Sequence, residues 1–176
     1  VANRLSDDDY YRTANGIDPA FATFLGNHDM GRAAQQILSR APGLAGHALL
    51  RHVELGWDLL YLLRGAPVVQ WGDEVGMVGS GGDKAAREDM FPTQVSDWRK
   101  ETRVGGPPIG QGSSFTVTNP LQTQLKTLAG LRDAYPELAT GASVVRLQQG
   151  GVLVVSRIGA TTGREIVVAF NNTDQA

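Results

Sequence analysis

Apolar residues follow a helical spacing in parts of this chain and form short continuous runs in others. In residues 46–63 the large apolar side chains Leu49, Val53, Trp57 and Leu60 recur at steps of three and four residues. This spacing places them on one side of a helix. We therefore expect a long helix with one buried face.

Further segments before residue 140 give an alternating order. Residues 21–25 and 67–70 are short apolar runs typical of buried strands, and residues 31–38 can form a brief helix. Asn119 is a good N-cap with Pro at the first helical position, so a last helix is expected from there until Pro136. Its apolar stripe would consist of Leu121, Leu125, Leu128 and Leu131. Strands that alternate with helices predict an α/β fold with parallel strands.

The pattern changes in the last part of the chain. Apolar runs at residues 144–147, 152–155 and 166–170 alternate with Gly-containing turns, which is typical of β-hairpins. We therefore expect two parts. Residues 1–139 would be α/β, and residues 140–176 would begin an all-β domain.

Two other segments have local signals. Ser6 and Asp9 form the Ser-x-x-acid pattern of a helix start, which predicts one short helix near the N-terminus. Residues 72–114 are rich in Gly and Pro and have no clear period. A loop of that length inside a domain is usually functional or disordered.

A His-Asp pair directly follows the first apolar run. Gly26 and Asn27 make the turn, and His28 and Asp29 come next. In parallel α/β sheets the carboxyl ends of the strands carry the chemistry. Asp29 is therefore the first candidate for a catalytic side chain.

Three segments of this chain resemble motifs of the α-amylase family of retaining glycoside hydrolases (glycoside hydrolase family 13), and they follow one another in the same order as in that family. Residues 24–29 read Phe-Leu-Gly-Asn-His-Asp and resemble the family's seventh-strand motif. Residues 65–77 read Gly-Ala-Pro-Val-Val-Gln-Trp-Gly-Asp-Glu-Val-Gly-Met and are similar to its eighth-strand motif, with Gln70 where an aromatic residue is commoner. Residues 128–141 look like the end of the last barrel helix and the start of the C-terminal β domain.

The resemblance implies the C-terminal portion of a (β/α)₈ TIM barrel, about strands 7 and 8 with their helices, followed by the first antiparallel strands of a β domain. Two parallel strands cannot close a barrel that takes eight strands and about 200 residues or more. The chain is therefore expected to be a fragment of a longer hydrolase.

The same resemblance implies a division of the chemistry. The nucleophile and the acid/base carboxyl sit on the family's fourth and fifth strands, which this chain is expected to lack, so we expect it to be inactive alone. Asp29 would be the third carboxylate, which stabilises the transition state through sugar hydroxyls. His28 would bind a hydroxyl of the same sugar, and Asn27 would hold the turn beside it. Arg32 would orient a carboxylate or reach sugar hydroxyls.

Three more side chains are possible members of the site. Asp73 and Glu74 follow the second strand, where carboxylates more often cap backbone amides and pair with Arg. Arg87 begins a segment, residues 87–92, that resembles a loop near the active-site mouth of some family members. It departs from that loop at two positions, with Asp89 in place of the first Pro and Pro92 in place of the Trp.

Composition limits the kinds of partner. The net charge is −2, with 16 basic and 18 acidic residues in scattered positions, so we expect no nucleic-acid partner. No apolar run reaches the roughly 18 residues of a membrane span, so we expect no membrane partner. The family resemblance implies an α-glucan or oligosaccharide substrate as the partner.

No cofactor or metal is expected on these residues. The chain has no cysteine and no calcium-loop pattern, although calcium is possible elsewhere in a parent of this family. His47 and His52 are five residues apart on the predicted helix, which is not the i,i+4 spacing that lets two histidines bind one metal. We interpret both as surface residues.

Two alternatives stay open at the level of sequence. The chain can be a non-catalytic remnant that binds glucan weakly at most. The Gly-Asn-His-Asp segment at residues 26–29 also looks like a piece of the metallophosphoesterases, in which Asn and His hold two metal ions. The other metal-binding motifs of that family are absent from this sequence, and it leaves residues 65–77 unexplained.

Overall fold

The computed structural model describes residues 21–80 and 83–173. The short helix predicted to begin at Ser6 lies outside the described residues. Contacts between residues divide the described chain into two compact units. The first unit consists of residues 21–23, 58–67 and 128–173, and the second consists of residues 24–57 and 68–127.

Helices and strands alternate before residue 140, and only strands follow after it. The described helices are α1 (Ala33–Arg40), α2 (Gly46–Leu62), α3 (Ser96–Lys100), α4 (Pro120–Ala134) and α5 (Glu137–Thr140). The strands are β1 (Ala22–Thr23), β2 (Ala66–Pro67), β3 (Ala142–Gln149), β4 (Val152–Ile158) and β5 (Glu165–Asn171). Short 3₁₀ turns at Asp73–Val75, Ala85–Arg87 and Ser114–Thr116 interrupt the long loop between β2 and α4.

The two long helices confirm the predictions made from periodicity. Helix α2 matches the helix predicted at residues 46–63, and its four predicted core side chains are between 1% and 8% exposed. Helix α4 starts at the predicted N-cap. Its stripe is buried at Leu121 and Leu128 but not at Leu131, so the buried seam of α4 is narrower than predicted.

The first unit contains a parallel strand pair. Ala22 of β1 faces Ala66 of β2, and Thr23 faces Pro67, with a hydrogen bond from the Ala66 amide to the Phe21 carbonyl (2.8 Å). The predicted parallel arrangement is therefore confirmed. Each strand has only two paired residues, fewer than predicted, because Pro67 has no N–H with which to extend the ladder.

The burial predicted for these two apolar runs is wrong for their large side chains. Phe21, Phe24 and Val68 are 52%, 45% and 48% exposed. Continuous apolar runs become buried only when both faces of a sheet are covered. Within the described residues the parallel sheet has two strands, so these faces stay open to solvent.

The C-terminal strands form an antiparallel sheet in the order β3, β4, β5, as predicted from the three apolar runs. Gly150 and Gly151 connect β3 to β4, and both have positive φ (57° and 84°). A two-residue hairpin turn with positive φ at both positions has the twist that the flanking strands require, which favours glycine here. The side chains of Leu153, Val155 and Phe170 give this sheet a buried face.

The second unit is held together around a small apolar core and a buried amide. The core contains Val75, Met77, Met90 and Ile109. Asn119, 1% exposed, caps α4 by accepting a hydrogen bond from the Leu121 amide (3.0 Å). Its side-chain nitrogen donates to the backbone carbonyls of Val75 (3.2 Å) and Val104 (2.8 Å). One side chain therefore ties the helix to two loop segments.

We expect Asn119→Ala to lower the free energy of unfolding of the 176-residue chain by about 2 kcal/mol, since it removes an N-cap and leaves buried carbonyls without donors. Urea denaturation followed by tryptophan fluorescence measures this change. The matched control is Asn172→Ala at an exposed position, which should stay within about 0.5 kcal/mol of the parent chain. Equal effects of the two substitutions would contradict the role given to Asn119.

No helix within residues 21–80 and 83–173 is long and apolar enough to cross a membrane.

Candidate active site

The His-Asp pair lies on a tight turn in the second unit. The side-chain oxygen of Asn27 accepts hydrogen bonds from the backbone amides of Asp29 and Met30, both at 2.9 Å. The backbones of Asn27 and Gly31 also exchange two hydrogen bonds, at 3.1 and 3.0 Å. The expectation that Asn27 holds the turn is met, because Asn side chains bond readily to backbone groups close in sequence.

Gly26 allows this turn to close. A Cβ at this position would lie 2.5 Å from the Gly31 carbonyl oxygen and 2.7 Å from the Ala33 amide nitrogen. Any larger residue would therefore push the turn away from the start of α1. The turn is set by backbone packing on one side and by the Asn27 amide on the other.

The Asp29 carboxylate is exposed to solvent and lies beside the His28 imidazole and the Arg87 guanidinium. Its side chain is 71% exposed, and that of His28 is 60% exposed. His28 Nε2 lies 3.4 Å from Asp29 Oδ1, and Arg87 Nη2 donates to the same oxygen at 3.1 Å. An exposed carboxylate on a rigid turn, next to an imidazole and a guanidinium, can form hydrogen bonds with hydroxyl groups of a ligand.

Arg87 is shared between two carboxylates. Its Nε and Nη2 donate to Asp83 Oδ1 at 2.9 and 2.7 Å, in addition to the bond with Asp29. Asp83 lies four residues before Arg87 and orients the guanidinium towards Asp29. All three side chains are about half or more exposed.

Directly behind the turn, Arg32 is completely buried at 0% exposure. Its Nη1 donates to Asp73 Oδ1 and to the Trp71 carbonyl, both at 2.7 Å. Its Nε donates to Glu88 Oε2 at 2.7 Å, and Nη2 donates to the Glu88 carbonyl at 3.4 Å. One guanidinium therefore binds two separate segments of the second unit, residues 71–73 and Glu88.

The two acidic residues after β2 act within the protein. Burial raises the pKa of Asp73 to about 6, against the opposing effect of Arg32. Glu74 Oε2 accepts a hydrogen bond from the Gly72 amide at 2.6 Å. These are the carboxylate roles usual at a strand end, namely pairing with Arg and capping an amide.

A second buried carboxyl belongs to Glu88, which interacts with the partly buried carboxyl of Glu101. Glu88 is 1% exposed, and burial, with a further contribution from Glu101, raises its pKa to about 8, although Arg32 opposes the shift. Glu101 accepts hydrogen bonds from the amides of Val78 (2.7 Å) and Ser80 (3.2 Å).

The charges of this cluster explain the direction of the shift. Arg32 and Arg103 bring two positive charges, whereas Asp73, Glu88 and Glu101 bring three carboxyls. A proton retained on one carboxyl reduces the excess negative charge of the cluster, and burial disfavours uncompensated charge. A raised pKa for Glu88 is therefore the expected direction despite its ion pair with Arg32.

Within the described part of the chain, no three His, Asp or Glu side chains are arranged to hold a metal ion. His47 and His52 are both exposed, as interpreted from the sequence.

Comparison with known proteins decides the family. No protein-family model matches the chain. An α-amylase from Streptomyces lividans is 40% identical to it over 174 residues, an alignment that covers 98% of this chain and 19% of the S. lividans protein. The chain belongs to the α-amylase family. It spans about a fifth of the length of that relative.

Solved structures of α-amylases have the same fold over this length. An α-amylase from Anoxybacillus superposes with a TM-score of 0.69 at 20% identity. The superposed region is 97% of this chain and 30% of the Anoxybacillus chain. The α-amylase from Geobacillus thermoleovorans, complexed with acarbose, superposes with a TM-score of 0.68 at 20% identity, with coverages of 97% and 31%. The fold prediction is confirmed: the chain is a C-terminal piece of an α-amylase-type barrel followed by antiparallel strands.

Within this α-amylase-family chain, the structure brings several of the candidate site residues together. Asn27, His28, Asp29 and Arg87 meet at the exposed turn. The side chain of Arg32 is buried away from any ligand at that turn. Two roles were expected of Arg32. The first, orienting a carboxylate, fits its hydrogen bonds to Asp73 and Glu88. The second, direct contact with sugar hydroxyls, does not fit a side chain that is 0% exposed.

Sequence reasoning missed Glu88, Asp83 and Glu101. All three lie in the Gly- and Pro-rich loop, where no period marks a buried position. Glu88 pairs with an arginine that is 56 residues away in sequence. A usable signal was its position next to Arg87, in a segment that already resembled a family loop.

We expect the stability of the 176-residue chain to fall as the pH rises through the range from about 4.5 to about 8. The folded state keeps a proton on Glu88 up to a pKa of about 8, whereas the unfolded chain releases it near the ordinary value of 4.5. Protonation therefore favours the folded state in this window, with a limiting slope of about 1.4 kcal/mol per pH unit for one proton. Asp73, whose pKa is raised to about 6, makes the slope steeper in the lower part of this pH range.

Urea denaturation at pH 5, 6.5 and 8 measures this slope, and Glu88→Gln should flatten it because an amide does not titrate. The matched control, Asp133→Asn at an exposed position of α4, should leave the slope unchanged. A slope that is the same in all three proteins would show that Glu88 is not the titrating group.

Proposed function

We propose that this chain is the C-terminal part of a retaining glycoside hydrolase or transglycosylase that acts on α-glucans, and that it provides the transition-state-stabilising half of the sugar site. The observation that carries the proposal is the Asp29 carboxylate. It is exposed on a turn held by Asn27, beside His28, in a chain of the α-amylase family.

Asp29 would act through hydrogen bonds to hydroxyls of the sugar at the cleavage point. A retaining glycosidase passes through transition states that resemble an oxocarbenium ion. Hydrogen bonds to ring hydroxyls that strengthen as positive charge develops lower the barrier, whereas equal binding of ground state and transition state does not. A fixed carboxylate acceptor at this point stabilises the developing charge without having to reorganise.

His28 would bind a hydroxyl of the same sugar. Its imidazole is exposed, and its Nε2 lies 3.4 Å from Asp29 Oδ1, so both groups can approach one ring. Arg87 is close enough to join them. The exposed indole of Trp71 (62% exposed) and the ring of Phe91 (64% exposed) are apolar surfaces of the same unit on which sugar faces can pack.

The nucleophile and the acid/base would come from a part of the hydrolase that this chain does not include. In retaining enzymes these two carboxyl groups lie about 5 Å apart across the scissile bond. Support for an oligosaccharide substrate comes from the Geobacillus thermoleovorans α-amylase, which was crystallised with acarbose. No residue of this sequence matches the family's nucleophile or its acid/base.

The test compares the isolated 176-residue chain with the full-length protein encoded by its reading frame. With maltoheptaose, we expect shorter oligosaccharides from the full-length protein, initially with retained α-anomeric configuration by NMR, and none from the isolated chain. Turnover by the isolated chain would contradict the division of residues proposed here. A full-length protein that binds maltoheptaose but never cleaves it would support the non-catalytic alternative.

A further inference from the structure

Two segments of the second unit meet at two consecutive ion pairs. One segment carries Asp29 and Arg32, and the other carries Arg87 and Glu88. Asp29 pairs with Arg87 at 3.1 Å in solvent, and Arg32 pairs with Glu88 at 2.7 Å in the interior. The exposed pair holds the candidate catalytic carboxylate, and the buried pair begins three residues later, at the N-cap of α1.

The buried pair fixes the backbone that carries Arg87. Arg32 binds both the carboxylate and the backbone carbonyl of Glu88, the residue next to Arg87. Ala86, on the other side of Arg87, is 0% exposed, and its carbonyl accepts a hydrogen bond from Gln70 Nε2 at 2.9 Å. The position of Arg87 is therefore determined by buried contacts of both its neighbours.

The exposed pair could not set this geometry by itself. Ion pairs between exposed side chains are worth about 0–1 kcal/mol, because water and salt screen them and the side chains lose freedom. Arg87 is 49% exposed and Asp29 is 71% exposed. The contact at Asp29 consequently depends on where the buried pair and Asp83 place the guanidinium.

We propose that Arg32 and Glu88 are positioning residues that hold Arg87 against Asp29, and so set the orientation of the Asp29 carboxylate towards the sugar. This inference rests on the proposed function of Asp29. It gives Arg32 and Glu88 an indirect role in the reaction, since both side chains are buried and neither can touch substrate. Asp83 contributes by orienting the guanidinium of Arg87 from the solvent side.

A double-mutant cycle in the full-length hydrolase tests the proposal. Glu88→Ala and Arg87→Ala should each lower kcat for maltoheptaose by about tenfold to a hundredfold, the range expected for a misplaced catalytic group, with KM changed less than about twofold. If Glu88 acts through Arg87, Glu88→Ala should lower kcat by less than about twofold further in the Arg87→Ala background.

A conservative variant separates positioning from general damage to the fold. The amide oxygen of Glu88→Gln can still accept a hydrogen bond from Arg32 Nε, so its kcat should stay within about threefold of the parent enzyme. If Glu88→Ala does not fold, Arg32→Lys takes its place in the cycle, because a lysine cannot reach Asp73, Glu88 and the Trp71 carbonyl at once.

The outcomes are distinct. If the fold-losses in kcat caused by Glu88→Ala and Arg87→Ala multiply in the double variant, the proposal is overturned. It is also overturned if the Glu88→Gln enzyme is as slow as the Glu88→Ala enzyme. An active Asp29→Asn enzyme would instead remove the proposed function itself. Non-additive effects on kcat, together with rescue by Glu88→Gln, would support the chain of contacts from Arg32 to Asp29.

Discussion

Asp29→Asn is expected to lower kcat of the full-length hydrolase on maltooligosaccharides by about a thousandfold or more. A single donor or acceptor that acts on developing charge in an active site is worth about 10² to 10³ in rate, and Asp29 would contribute more than one hydrogen bond to the sugar. Asn keeps the shape but loses the negative charge and one acceptor. KM should change much less, because the lost interactions are those that strengthen in the transition state.

The measurement is the initial rate of maltoheptaose cleavage over a range of substrate concentrations, with circular dichroism to confirm folding. Asp133→Asn is the matched control, because Asp133 is an exposed carboxylate on α4, and it should leave kcat within about twofold of the parent. An Asp29→Asn enzyme that retained a tenth or more of the parental kcat would show that Asp29 is not the stabilising carboxylate.

The parts of this molecule that sequence analysis predicted well are those with a local signal. Helix α2 follows a spacing of about 3.6 residues, and strands β3 to β5 coincide with apolar runs separated by Gly-containing turns, so each can be recognised within a short segment. The turn at residues 26–29 was also predictable, because Gly, Asn and an adjacent His-Asp pair have defined local conformational and chemical roles.

Contacts between distant segments of the chain were not predictable in the same way. The Arg32 side chain binds groups 39, 41 and 56 residues away, and only the fold brings them together. The exposure of Phe24 and Val68 depends on which strands stand beside them, and an apolar run does not contain that information. Sequence analysis therefore named the exposed side chains of the candidate site and missed the buried charges behind them.

Those buried charges lead to the second large effect. Arg32→Met should lower the free energy of unfolding of the 176-residue chain by about 3–5 kcal/mol, the usual cost of removing one partner from a buried ion pair. Methionine fills much of the space of the arginine stem but donates no hydrogen bond. Asp73, and Glu88 where the pH is high enough to ionise it, would then be left buried without their cation, and the Trp71 carbonyl would lose its donor.

The control is Arg51→Met, which removes the exposed arginine from its ion pair with Glu54 on α2. Arg51 is 67% exposed, so we expect a change of at most about 1 kcal/mol in urea denaturation followed by tryptophan fluorescence. The deficit of Arg32→Met should shrink at low pH, because protonation of Asp73 and Glu88 removes the charges that Arg32 compensates. Equal losses for the two variants at pH 8 would mean that the buried cluster does not depend on Arg32. It could then not hold Arg87 at Asp29.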